Sequence, residues 1–139
     1  MRLAALPILA LTFGCAADQA AGPVKSRLPQ GLVQTVQLSP EHPTTGDWLT
    51  ITSVVSNSGS QGVPVSSRVC SLDFQSASAF PEAPLPRCAS YSMSVTLQQG
   101  DSIAGGDVLI VKASPGLYTL RVRQLLDPEA WMEVPVTVK

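Results

Sequence analysis

Histidine occurs once in these 139 residues, at His42, and charged residues make up only 14% of the chain. A single imidazole, set between Glu41 and Pro43 in a turn-rich stretch, leaves no Ser–His or Cys–His pair to activate a nucleophile, and there is no Gly-x-Ser-x-Gly elbow. His42 is therefore expected to be a solvated turn residue. Net charge is −1, and it falls to −2 when Arg2 is removed with the leader, so the basic field that a phosphate backbone requires is missing. The acids nearest one another in sequence, Asp101 with Asp107 and Asp127 with Glu129, fall at turns and strand ends, where carboxylates cap and solvate and do not work as an acid–base pair. No stretch alternates oxygen ligands as a calcium loop does, and no helix follows Gly105-Gly106 to aim its amides at a phosphate. These absences speak against an enzyme, a metal, a cofactor, a small-molecule substrate and a nucleic-acid partner.

Helical periodicity is also scarce, since no run of a dozen residues beyond the leader carries it, and the Ser, Thr, Val, Gly and Pro that fill the chain favour strands and turns. The clearest signal is Ser114 to Leu125. Pro115-Gly116 supplies a turn, and behind it Tyr118, Leu120 and Val122 share one face while Thr119, Arg121 and Arg123 share the other. That alternation describes a strand with one face on a core and one in water. Similar phases predict strands at Leu32 to Leu38, Trp48 to Asn57, Val63 to Phe74 (Cys70, Leu72 and Phe74 inward, Pro64 at a sheet edge), Ser90 to Leu97 (Tyr91, Met93, Val95 and Leu97 inward), Ser102 to Val111 and Ala130 to Val138. Gly105-Gly106 is expected to mark a bulge or bend where the apolar phase slips. Trp48 and Trp131 are expected in core or edge packing, not as ligand platforms. Short, regularly spaced strands with no helix between them indicate one all-β, antiparallel β-sandwich of seven to eight strands over residues 31–139, with Tyr118, Leu120, Leu49, Ile51, Val95 and Val136 in its core.

Residues 1–14 stand apart. One cation at Arg2, an apolar run from Leu3 to Phe13 that is too short to span a bilayer, and small residues after it form an export signal peptide. The stretch Leu11 to Cys15, LTFGC, resembles the cleavage box of bacterial lipoproteins, which implies a lipid on Cys15 and a membrane anchor. Leu11 lies one place further from Cys15 than in the usual box and Phe13 stands where a small residue is normal, so cleavage after Ala17 is the alternative. Residues 15–30, rich in small residues and proline without periodicity, read as a flexible tether. With Cys15 lipidated or removed, Cys70 and Cys88 are left as a pair, and an oxidising compartment makes a disulfide the default. Closing a loop of about 18 residues contributes roughly 3 kcal/mol. A metal site is the competing reading, but the two thiols lack close spacing and His42 is far away.

Between them lies Gln75 to Arg87, where Pro81, Pro84 and Pro86 forbid helix and interior strand. Phe80, Pro81, Pro84, Leu85, Pro86 and Arg87 form a proline-stiffened candidate partner-binding loop, which loses little entropy on binding, and Arg87 offers the basic side chain that trypsin-like clefts accept. The bland reading is a loop stiffened against unfolding and proteolysis.

At Gly116, Tyr118 and Leu120 the pattern Gly-x-Tyr-x-Leu resembles the penultimate strand of immunoglobulin-like domains, and this resemblance implies a Tyr hydroxyl bonded to backbone across a corner. Leu120 stands where antibody domains have a core Cys, so Cys70 and Cys88 would make a different bridge. The order TGDWLTITSVVSN, VTLQQGDS, SPGLYTLRV is also similar to bacterial immunoglobulin-like domains that include the intracellular proteinase-inhibitor type, over about 100 residues from Leu32. Such a sandwich hosts many unrelated functions. The expected function is a non-catalytic binding or structural module of the bacterial cell envelope, with an envelope protein as partner, lipid-anchored in the outer membrane or facing the periplasm, or otherwise periplasmic or secreted. The alternative is a protease inhibitor acting through residues 80–87.

Overall fold

Alternation of apolar and polar residues is converted almost directly into paired strands. The computed structural model describes residues 22–68, 71–75, 78–84 and 92–139. Ten strands run through them: β1 (Val24–Arg27), β2 (Leu32–Ser39), β3 (Trp48–Asn57), β4 (Val63–Arg68), β5 (Asp73–Gln75), β6 (Ser92–Leu97), β7 (Ser102–Ile110), β8 (Gly116–Arg123), β9 (Leu125–Asp127) and β10 (Met132–Val138). They form three sheets in the orders β1-β2-β3-β7, β10-β8-β5 and β6-β4-β9, and every pairing is antiparallel. The fold is all-β, and its sheets close on shared apolar cores in a way consistent with a β-sandwich.

Ten strands exceed the seven or eight expected because the chain changes sheet within single predicted strands. Val63 to Phe74 divides into β4 and β5, which lie in different sheets, and the strand from Gly116 passes through the fully buried Gln124 into β9 beside β4. β1 is the further addition. It pairs with β2 from Val24↔Val36 to Arg27↔Val33, inside the stretch expected as a tether. Val24 and Ser26 are half-buried while Lys25 and Arg27 are exposed, an alternation that the prolines around the segment concealed.

The core has two halves. One gathers Val36, Leu49, Ile51 and Leu109 from the first sheet and Leu120, Val122, Met132, Val134, Val136 and Val138 from the second, together with Leu72, Phe80 and Val111 just beyond β7. The other gathers Leu32, Val55, Val63, Val65, Leu97, Ile103 and Leu125. Of the six residues expected in the core, Leu49, Ile51, Leu120 and Val136 are fully buried, and Tyr118 and Val95 pack against it half-buried. Between the halves lies a polar belt. Gln34 Nε2 donates to Ser53 Oγ at 3.0 Å, and Gln124 Nε2 donates to the Ile103 carbonyl at 3.1 Å, all at buried positions.

Gly105 belongs to this belt and makes no bulge against β3. Its register, Ser53↔Gly105 and Thr52↔Gly106, runs unbroken along the β3–β7 pair, so the expected phase slip does not occur. The glycine answers a packing need instead. A β-carbon at Gly105 would meet Leu72 Cδ2 at 3.2 Å, the Arg68 carbonyl at 3.5 Å and Gln124 Nε2 at 3.5 Å.

Pro64 stands where its missing N–H costs nothing, because β9 reaches only Ser66 and Ser67 on that side of β4. Two expectations about apolar side chains fail. Trp48 is 53% exposed on the outer face of β3, and Met93 is 39% exposed although it shares the phase of Val95 and Leu97, because β6 leaves the core toward its N-terminal end.

Candidate functional site

Phe80 heads the expected binding loop, yet it is 3% exposed and meets Tyr118 edge-on, with ring centroids 5.5 Å apart and planes at 81°. The reason is backbone pairing. Lys112 N–H donates to the Ala79 carbonyl at 2.8 Å, Ile110 N–H to the Pro81 carbonyl at 2.8 Å, and Ala83 N–H to the Val108 carbonyl at 3.0 Å. Residues 79–83 thus lie along the open side of β7 like a short strand. Alternate residues face β7, Pro81 meets it with its carbonyl alone, and Phe80 is turned into the core. Phe80 is therefore a core residue and not a contact residue; Pro81 is half-buried and Pro84 exposed. Leu85, Pro86 and Arg87 lie outside the described residues, as do Cys15, Cys70 and Cys88.

Asp101 and Asp107 have separate partners. Asp101 Oδ2 accepts the Gln98 N–H at 2.8 Å and caps the β6–β7 turn, while half-buried Asp107 accepts the N–H of Val108 at 2.8 Å and of Leu72 at 3.4 Å. Among the described residues no group of three or more His, Cys, Asp or Glu side chains could hold a metal. His42 is half-buried in the β2–β3 connection, with Nδ1 shielded from water and without a hydrogen-bond partner, which departs from the solvated residue expected. An open groove of about 440 Å³ lies on the β6-β4-β9 sheet, lined by Gln30, Pro64, Ser66, Ser94, Thr96 and Asp127 among others.

The most organised surface is the outer face of β10-β8-β5. Alternation along β8 turns Leu117, Thr119, Arg121 and Arg123 outward. Antiparallel register sets Arg123 opposite Asp73, and Arg121 between Gln75 and Glu133. Arg123 Nη2 and Nε donate to Asp73 Oδ2 at 2.6 and 3.0 Å, and its Nη1 donates to Glu129 Oε1 at 2.9 Å. Arg68 Nη2 approaches the other oxygen of Asp73 at 3.4 Å. Arg121 Nη1 donates to Gln75 Oε1 at 2.6 Å.

Trp131 completes the cluster. Its indole N–H donates to Glu129 Oε1 at 2.9 Å, and the guanidinium carbons of Arg121 and Arg123 lie 5.4 and 4.8 Å from its ring centroid. The hydrogen bond to Asp73 chiefly, with the charges of Asp73 and Glu129, holds the Arg123 guanidinium above its usual range, and partial burial works against them. Each ion pair on such a half-exposed face is worth about 0–1 kcal/mol. The shared partners do more for geometry than for stability, since Arg121, Arg123 and Trp131 are each tied at two points or more. In the sequence Arg121 and Arg123 read only as a water-facing row. The usable signal was two cations at i and i+2 on a strand, followed within ten residues by Glu129, Trp131 and Glu133.

No family model and no curated protein matches this chain. Among solved structures, a β-glucosidase from Erythrobacter marinus overlaps 83% of it at 15% identity and a TM-score of 0.42, and this chain covers 16% of that one. A β-glucosidase from Listeria innocua, in complex with gluconolactone and again with glucose, overlaps 75% at 17% identity and a TM-score of 0.35, with 16% of that chain covered. Overlaps this loose fix neither a family nor an activity.

Proposed function

We propose that this chain is a non-catalytic binding or structural module of the bacterial cell envelope, an immunoglobulin-like sandwich exported and held at a membrane by a lipid on Cys15. The observation that carries the binding role is the Arg121–Trp131–Arg123 stack on β10-β8-β5. Trp and Arg are enriched among the hot spots of protein interfaces, and here both are held in place before any partner arrives, so little side-chain entropy remains to be lost. The immunoglobulin-like assignment is supported by the corner at the start of β8, where Tyr118 Oη donates to the Ser114 carbonyl at 2.9 Å and Leu120, two residues on, is fully buried. Export and anchoring rest on the leader and Cys15.

A photo-activatable cross-linking residue at the exposed Thr119, introduced in living cells, tests this reading. The expected result is a discrete adduct with an envelope protein that is lost with Arg121→Ala or Trp131→Ala, and that does not form from exposed Thr50 on the opposite sheet. No adduct, or the same adduct from both positions, contradicts it. The inhibitor alternative retains only Pro81, Pro84 and the residues beyond, since Phe80 is committed to the core. A panel of serine proteases separates the two: inhibition that disappears with Arg87→Ala favours the alternative.

A further inference from the structure

An edge strand offers unpaired N–H and C=O groups to any extended chain, and natural sheets guard such edges with charge, proline, shortness or cover. Five of the six edges in this fold are guarded. β1 is four residues long and carries Lys25 and Arg27. β10 has Pro135 at its centre beside Glu133. β5 and β9 have three residues each and contain Asp73 and Asp127. β7 is covered over its second half by residues 79–83.

Among the described residues β6 has none of these devices. Its six residues, Ser-Met-Ser-Val-Thr-Leu, include no charge, proline or glycine, and among the described residues only β4 pairs with it. The ladder shows which groups are free. Arg68 N–H turns away from β6 to the Gln124 carbonyl at 2.9 Å, and Pro64, which has no N–H, falls in the same phase. Val63, Val65 and Ser67 therefore bond Leu97, Val95 and Met93, and the backbone groups of Ser92, Ser94 and Thr96 face outward.

We propose that β6 is a self-association edge, on which two copies of this chain pair antiparallel about a two-fold axis at Ser94 and join their β6-β4-β9 sheets into one continuous sheet. The strand is complementary to itself in that register. Ser94 faces Ser94 and Ser92 faces Thr96, which places hydroxyls against hydroxyls on the outer side with no like charges opposed. On the other side Met93 faces Val95 of the second copy. Met93 is 39% exposed and Val95 is only half-buried, so each stands uncovered where the other would sit. This pairing is independent of the Arg–Trp face, which lies on the β10-β8-β5 sheet.

Equilibrium sedimentation of the full chain in density-matched detergent, over about a hundredfold range of concentration, tests the proposal. The expected result is a reversible dimer. Ser94→Lys and Ser94→Glu should each weaken it by about tenfold or more by opposing like charges across the axis, and an equimolar mixture of the two variants should restore it. The same cycle with Ser92→Lys/Thr96→Lys against Ser92→Glu/Thr96→Glu serves if circular dichroism shows that a Ser94 variant has lost its strands. A monomeric wild-type chain, a dimer insensitive to both charges, or a mixture no tighter than either variant alone overturns the proposal.

Discussion

Phe80→Ala should destabilise the fold by about 3–5 kcal/mol, the usual cost of truncating a fully buried Phe, whereas a side chain held out for a partner would cost well under about 1 kcal/mol. Two parts of that loss can be traced. Most comes from the cavity left in the larger core half. About 0.5–1.5 kcal/mol belongs to the edge-on contact with Tyr118, which a double-mutant cycle with Tyr118→Leu isolates. Because Phe80 also sets how residues 79–83 lie on β7, the hydrogen bonds of Ile110, Lys112 and Ala83 should loosen with it. Urea unfolding followed by fluorescence reads the first effect. For a domain of this size, with a slope of about 1–3 kcal/mol per molar, the midpoint should fall by roughly 2 M with little change of slope. Amide exchange at Ile110 and Lys112 reads the second. A midpoint that moves by less than about 0.3 M, with unchanged protection at those amides, refutes the core assignment of Phe80.

Gly105→Ala should cost about 1–3 kcal/mol, because the new methyl would press the buried Leu72 at Cδ2, 3.2 Å away; a thermal midpoint equal to wild type contradicts this. Tyr118→Phe should lose about 1 kcal/mol with the bond to the Ser114 carbonyl, seen as a small fall in urea midpoint and faster exchange in the residues before β8. Trp131→Ala should lower stability by less than about 1 kcal/mol, since its two Arg contacts are on a half-exposed face, so any loss of partner cross-linking in that variant reports recognition and not unfolding.

Strands whose one face is continuously apolar were plain in the sequence. β8 and β10 keep a strict period of two, and Leu120, Val122, Met132, Val134, Val136 and Val138 are all buried as that period requires. What was hidden depends on neighbours distant in the chain. Phe80 looks like a loop residue because Pro81 and Pro84 follow it, and its burial follows from the open backbone edge of β7, where the Ile110 N–H donates to the Pro81 carbonyl and the Val108 carbonyl accepts the Ala83 N–H. Gly105 looks like a phase break because glycine has no side chain to keep phase, although Ile103 and Leu109 on either side hold the alternation. The Arg123 network needs Asp73, fifty residues away, and only the β5–β8 register brings them together. β6 misled in the opposite way, since Met93 has the right phase for a core that does not extend to it.

Intact mass of the protein extracted from membranes tests most directly the claim that this is an anchored envelope module. The expected chain begins at Cys15, carries acyl groups, and resists alkylation at Cys70 and Cys88 under non-reducing denaturation. A chain that begins at Asp18 without acyl groups contradicts the anchor, and two alkylated thiols contradict the bridge.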